Sequence, residues 1–164
     1  MPNRMVPDRT ARAAAETLLA RRAYSAQGLL DKLLEKGFGE PEAGRAVERL
    51  RELGYLDDEA YAQNLADSLA RRGYGARRIK QTLKAKGVDG ETADLVLEDD
   101  GGGPAQESTD ARIDRWLVKL SKGRTLDKKE CARLSAALFR RGFEGDEIRR
   151  GLRRFSDPDN DFEL

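Results

Sequence analysis

"RRAYSAQGLLDKLLEKG" at residues 21–37 and "RRGYGARRIKQTLKAKG" at residues 71–87 share one skeleton, set 50 positions apart. Arg21-Arg22, Tyr24, Leu29, Leu33 and Gly37 fall on Arg71-Arg72, Tyr74, Ile79, Leu83 and Gly87. Self-similarity at a fixed period marks a repeat architecture. A third copy lies at "RRGFEGDEIRRGL", residues 140–152, where Arg140-Arg141, Gly142-Phe143, Ile148 and Leu152 match Arg71-Arg72, Gly73-Tyr74, Ile79 and Leu83. This copy is truncated soon after.

Each copy reads as helix, turn, helix, with a further helix in the first two. Ahead of the arginine pair, Tyr61, Leu65 and Leu69 recur every four residues, as do Leu134 and Leu138, which predicts one apolar stripe per helix. After the pair comes a helix start with an aromatic just outside it and an aliphatic in its first turn: Tyr24 with Leu29, Tyr74 with Ile79, Phe143 with Ile148. Ser25 is the expected N-cap in the first copy, Gly75 a weaker one in the second, and Gly37 and Gly87 the residues that end the helices. Helices are expected near 9–22, 25–36, 41–53, 58–72, 75–86, 91–97, 110–122, 127–141 and 146–154. No alternating strand pattern competes. The fold class is therefore all-α, with tandem three-helix repeats of about nine short helices in an elongated, curved array. The repeats are expected at 9–54, 55–97 and 110–154. "EDDGGGPAQEST" at 98–109 reads as a flexible acidic linker and 155–164 as a disordered acidic tail.

The 164 residues hold no histidine and one cysteine, Cys131. A zinc site would want several such ligands, and a Cys131 nucleophile would lack a histidine base, so a buried core thiol is expected instead. No metal, cofactor or catalytic residue is predicted. The paired acids of "ELGYLDDEAY", residues 52–61, invite a catalytic reading, but local geometry explains them: Gly54 ends one helix, Asp57 caps the next, and Leu56 packs on Tyr61. No stretch is apolar enough for a membrane span, and the start lacks the apolar core of a signal peptide. A cytoplasmic protein is expected.

Charged residues make up 37% of the chain, yet the net charge is +1. The distribution is uneven. Residues 98–110 and 155–164 are acidic, 111–154 are strongly basic, and 71–87 hold seven cations and no acid. On a helix from Ala76, Ile79 and Leu83 share one side, while Arg77, Lys80 and Lys84 form an adjoining stripe. The first repeat spends Asp31 and Glu35 where the second has Gln81 and Ala85. Such a run is either a solvated face or a grip for a polyanion or an acidic protein surface. The candidate binding residues are Arg71, Arg72, Arg77, Arg78, Lys80, Lys84 and Lys86, with Arg140, Arg141, Arg149, Arg150 and Arg153 repeating the theme. The stripe Arg77, Lys80 and Lys84 is expected to be exposed, so that charge reversal there leaves stability unchanged. Tyr74 and Phe143 could stack on bases, but their repeat position favours packing. No phosphate-cradling glycine-lysine loop is present.

"GYLDDEAYAQ" leading into "RRGYGARRIKQTLKAKGV" resembles the RecX family of bacterial recombination regulators, as does the segment Trp116–Lys122 followed by the third copy. Ala23 stands where the other copies have glycine, and the glycine-rich acidic linker and acidic tail are departures. The resemblance implies a protein that binds the RecA filament of protein and DNA and lodges in its helical groove; a monomer is expected. It further implies suppression of strand exchange, ATP hydrolysis and repressor self-cleavage. From the residues alone, a direct DNA-binding protein of helix-turn-helix type and a helical scaffold for protein partners remain open. Limited proteolysis should nick within 98–109 before the helices; early cleavage inside 58–86 would contradict this domain map.

Overall fold

The computed structural model describes residues 10–98 and 107–156, and these contain nine helices and no strand. They are α1 (Ala11–Leu19), α2 (Ala26–Glu35), α3 (Glu40–Glu52), α4 (Asp58–Arg71), α5 (Ala76–Ala85), α6 (Gly90–Glu98), α7 (Thr109–Ser121), α8 (Lys128–Arg140) and α9 (Gly145–Phe155). Most of the expected linker and tail, 99–106 and 157–164, lies outside the described residues.

The helix starts are set by short polar side chains. Thr10, Ser25, Ser108 and Asp127 each accept a hydrogen bond from the backbone N–H three residues on, satisfying a donor that the helix leaves unpaired. Asp57 does the same for Ala60 at 2.9 Å, so the paired acids of 52–61 are connector chemistry. Asp58 accepts from the Ala26 N–H at 2.7 Å and holds the start of α2. Gly37 and Gly87 follow α2 and α5 at φ 92° and 83°, the left-handed geometry expected of a residue that stops a helix.

Two compact units divide the described chain, and the boundary falls inside α4 and α5. The first comprises residues up to Asn64 together with Leu83–Ala93. Its core is Leu29, Leu33, Val47, Leu50 and Leu56 with a set of alanines from α1 and α3, and Tyr24 and Phe38 lean on its edge. Alanine lets these helices approach closely. Within this unit Ser25 Oγ accepts from the Gly28 N–H at 3.0 Å and donates to the Lys86 carbonyl, so the N-cap of α2 is also bonded to the end of α5.

The second unit comprises Leu65–Thr82 and the chain from Asp94 onward. Ile113, Leu117, Leu126, Cys131, Leu134, Leu138, Phe143, Ile148 and Leu152 form its core. Cys131 is fully buried, and that burial pushes its thiol above the usual range. Phe143 is 1% exposed, so it packs and is closed to base stacking. On α4 Leu69 is buried as expected, but Ala62 and Ala66 are buried in place of Tyr61 and Leu65, which are half-buried.

The turn between α4 and α5 interlocks with the turn between α8 and α9. The Gly75 N–H donates to the Arg141 carbonyl at 2.9 Å, and the Arg77 N–H donates to the Gly142 carbonyl at 3.2 Å. A Cβ on Gly75 would stand 2.4 Å from the Gly142 carbonyl group, and a Cβ on Gly142 2.4 Å from the Arg78 backbone N. Neither position has room for a methyl group. Gly75→Ala should therefore cost about 1–3 kcal/mol in urea unfolding. Gly145→Ala, which meets nothing within 4 Å, should cost nothing measurable.

Candidate basic interface

The interlocked turns carry an arginine pair each, and the structure brings the second and third repeats' pairs together. Arg71 closes α4 and Arg72 follows it, both exposed. Arg140 closes α8 and is exposed, and Arg141 follows it.

Arg141 is turned inward. Its Nη1 donates to the carbonyls of Arg72 and Gly73, both at 3.2 Å, and its guanidinium stands 5.5 Å from the Tyr74 ring centre and 5.2 Å from that of Trp116. A guanidinium is suited to this double task, since its plane faces aromatic rings while its edge reaches carbonyls. Arg77 behaves alike: it lies 3.9 Å over the Phe139 ring and donates to the Phe139 carbonyl. Two further arginines brace the same turn from α7. Arg112, 5% exposed, donates to the Tyr74 carbonyl at 3.3 Å and to Thr109 Oγ1 at 2.8 Å. Arg115 donates to the Arg71 carbonyl at 3.3 Å and pairs with Glu107 at 2.9 Å.

The remaining predicted cations divide into paired and unpaired. Lys80 pairs with Asp94 on α6. Arg149 holds Asp146 at 2.9 Å, and Arg150 is 3.5 Å from Asp110. Arg78 is exposed and donates to Gln81 at 3.3 Å, and Arg72 leans over Tyr74 at 5.6 Å. Arg71, Arg140 and Arg153 in this unit, and Lys84 and Lys86 in the other, are exposed and make no ion pair among the described residues.

The stripe Arg77, Lys80 and Lys84 is thus not a uniformly solvated ridge. Of the three, Lys84 alone has no such contact among the described residues; Arg77 is seated on an aromatic ring and Lys80 on a carboxylate. Charge reversal of all three would break both contacts, so the expectation of unchanged stability is corrected. Nothing in the local spacing of Arg112, Arg115 and Trp116 marks them as braces of the turn. Their partners lie far off in the chain, in contacts spanning 38 and 44 positions for the two arginines.

Other chemistry is sparse. Burial against its neighbours raises the Tyr61 hydroxyl above its ordinary range, with nearby Arg22 opposing and Asp58 and Tyr24 adding. Among the described residues no cluster of three or more histidine, cysteine, aspartate or glutamate side chains is arranged to hold a metal ion. No described helix is long and apolar enough to cross a membrane.

Comparison with known proteins gives a consistent result. A family model described as the first three-helix domain of RecX matches residues 11–50, and one described as its second three-helix domain matches 57–97. The chain is 37% identical over 145 residues to the regulatory protein RecX of Stenotrophomonas maltophilia, covering 87% of this chain and 84% of that one. It is 40% identical over 131 residues to the regulatory protein RecX of Thermus thermophilus, covering 80% and 82%. The crystal structure of RecX from Lactobacillus salivarius has the same fold, with a TM-score of 0.75 over 88% of this chain and 94% of that one at 20% identity.

Removing the Arg141 side chain should cost about 1.5–3 kcal/mol in urea unfolding, because two carbonyls lose their donor and two rings lose their cation. Arg140→Ala, one residue away and exposed, should stay within about 0.5 kcal/mol.

Proposed function

The chain belongs to the RecX family of regulatory proteins, and from that premise we propose that it is a negative regulator of RecA. It binds the RecA–DNA filament and inhibits the recombinase, ATPase and coprotease activities, acting by binding rather than by chemistry. The observation that carries this reading is the interlocking of the two turns, which gathers Arg71, Arg72, Arg78 and Arg140 at one junction. Arg77 and Arg141 are the pillars of that junction and the other four its exposed charge.

A junction of this kind suits a filament that carries DNA. Each phosphate neutralised by an arginine releases condensed counterions, so attraction is strong at low salt and fades as salt rises. The exposed cations are held on backbone fixed by hydrogen bonds, and less conformational freedom is lost when they bind. Arg153 on α9 is a further exposed cation of this unit, and Lys84 and Lys86 at the end of α5 supply exposed cations in the other. Arg149 and Arg150 would have to exchange their aspartates for the filament.

The test is a full-length variant carrying Arg71→Glu, Arg78→Glu and Arg140→Glu, chosen because these exposed side chains make no ion pair or ring contact among the described residues and only the Arg78–Gln81 hydrogen bond. It should melt like the parent, while the concentration needed to inhibit RecA ATP hydrolysis rises at least ~10-fold and the salt dependence of inhibition flattens. Undiminished inhibition would sink the assignment. Sequence-selective binding to naked duplex DNA by the parent chain, with no effect on RecA, would replace the reading with that of a DNA-binding protein.

A further inference from the structure

The first copy's arginine pair, Arg21-Arg22, stands in the other unit from the interlocked turns, and both residues are exposed. Beside it the first unit holds a recess of about 350 Å³, within the range of small-molecule sites. Arg22, Tyr24, Asp31, Tyr61 and Lys86 line it, together with the ion-paired Lys32 and Glu35.

Comparison of the copies shows what is unusual here. Tyr74, the equivalent of Tyr24, has two guanidiniums against its ring, Arg72 at 5.6 Å and Arg141 at 5.5 Å from the ring centre, and a third, Arg112, on its carbonyl. Tyr24 has Arg22 at 4.6 Å and, among the described residues, no second cation. In the second copy arginines of the third close in on the tyrosine; in the first a cavity remains beside it. Its charges are also available. Arg22 and Lys86 make no ion pair among the described residues. Asp31 accepts from Gln27 at 2.8 Å through Oδ1, and its Oδ2 has no partner among the described residues.

We propose that the recess takes one unpaired nucleotide of a single DNA strand. Its phosphate lies on Arg22 and Lys86, its base beside Tyr24 and Tyr61, and an amino group of the base donates to Asp31. A ligand that is only anionic, such as an acidic peptide, would bring like charge against Asp31 and Glu35. A nucleotide meets both signs, because it carries a phosphate at one end and hydrogen-bond donors at the other.

The flat groups gather in the same place. The Arg22 guanidinium lies over Tyr24, and its charge is felt at the Tyr61 hydroxyl, so the cation and both rings are close together. Aromatic rings and guanidinium planes are the surfaces on which unstacked bases lie. A base inside a duplex has its faces stacked and its pairing edge engaged, so the recess is closed to it. That the nucleotide belongs to the DNA of a RecA filament rests on the proposed function; binding of a free strand does not.

The experiment uses the full-length chain without RecA, and its variants lie outside the turns altered in the functional test, so failure here is separable from failure of the proposed function. Amide spectra are followed while a deoxycytidine tetranucleotide, a thymidine tetranucleotide, dCMP or inorganic phosphate is added. The deoxycytidine strand should shift Ala23, Tyr24 and Gly28. Read at these amides, it should bind at least ~5-fold more tightly than the thymidine strand, whose base offers a carbonyl oxygen where cytosine has its amino group. Asp31→Asn should abolish that preference, and Arg22→Gln should weaken both strands at least ~5-fold. Both positions are exposed, and amides away from the recess report an intact fold. A simple positive surface predicts otherwise for Asp31→Asn: tighter binding of either strand, with no base preference to lose. That result would overturn the proposal, as would equal shifts from inorganic phosphate or no shift at these amides. Equal affinity for dCMP would overturn it too, by assigning the recess to a free nucleotide.

Discussion

Two backbone hydrogen bonds with no space around them govern the second unit. Gly75 and Arg77 donate to the carbonyls of Arg141 and Gly142, and the approach is so close that no β-carbon fits at either glycine. Hydrogen bonds of this kind are individually worth only about 1 kcal/mol net. Their importance lies in what they position. Once the turns are in register, the carbonyls of Arg71, Arg72, Gly73, Tyr74 and Phe139 need donors, and the guanidiniums of Arg115, Arg141, Arg112 and Arg77 supply them. Arginine density here is therefore partly an answer to exposed backbone acceptors.

That division has a chemical logic. A helix leaves its last carbonyls unpaired, and the turns that follow α4 and α8 add more. Arginine, with five donors on a rigid plane, can lay that plane against a ring while its edge reaches two carbonyls; lysine's compact ammonium has no such plane. The inward roles accordingly fall to arginines, whereas Lys80 takes the simpler part of an ion pair with Asp94. The cations left over are those on the outer side of the same turns.

Much of the fold is legible in the sequence. The repeat, the N-caps at Ser25 and Asp57, and the helix-ending Gly37 and Gly87 are local signals, and local signals survive folding. Two of the three α4 stripe positions differ because alanine reads as neutral, whereas Ala62 and Ala66 lie buried with Leu69. The expected span 9–22 is wider than α1 at both ends, since the helix is bounded by the Thr10 cap and stops at Leu19. The candidate basic interface is legible as composition but not as allocation. Whether an arginine faces water or a carbonyl depends on a turn brought alongside from 69 positions away, as between Arg72 and Arg141. Lys80 found its acid on another helix, beyond any i±4 rule.

Ser25, Gly75 and Glu144 occupy one equivalent position in the three copies, and each meets its neighbours differently. Ser25 reaches a carbonyl through its hydroxyl, Gly75 through its bare backbone, and Glu144 only caps its own helix. A serine transplanted to the second copy would collide with Gly142, and a glycine in the first would forfeit the bond to Lys86. The copies are consequently no longer interchangeable modules. An exchange between the first two copies would therefore yield misfitted joints, because the residue at this one position decides what each turn can lie against.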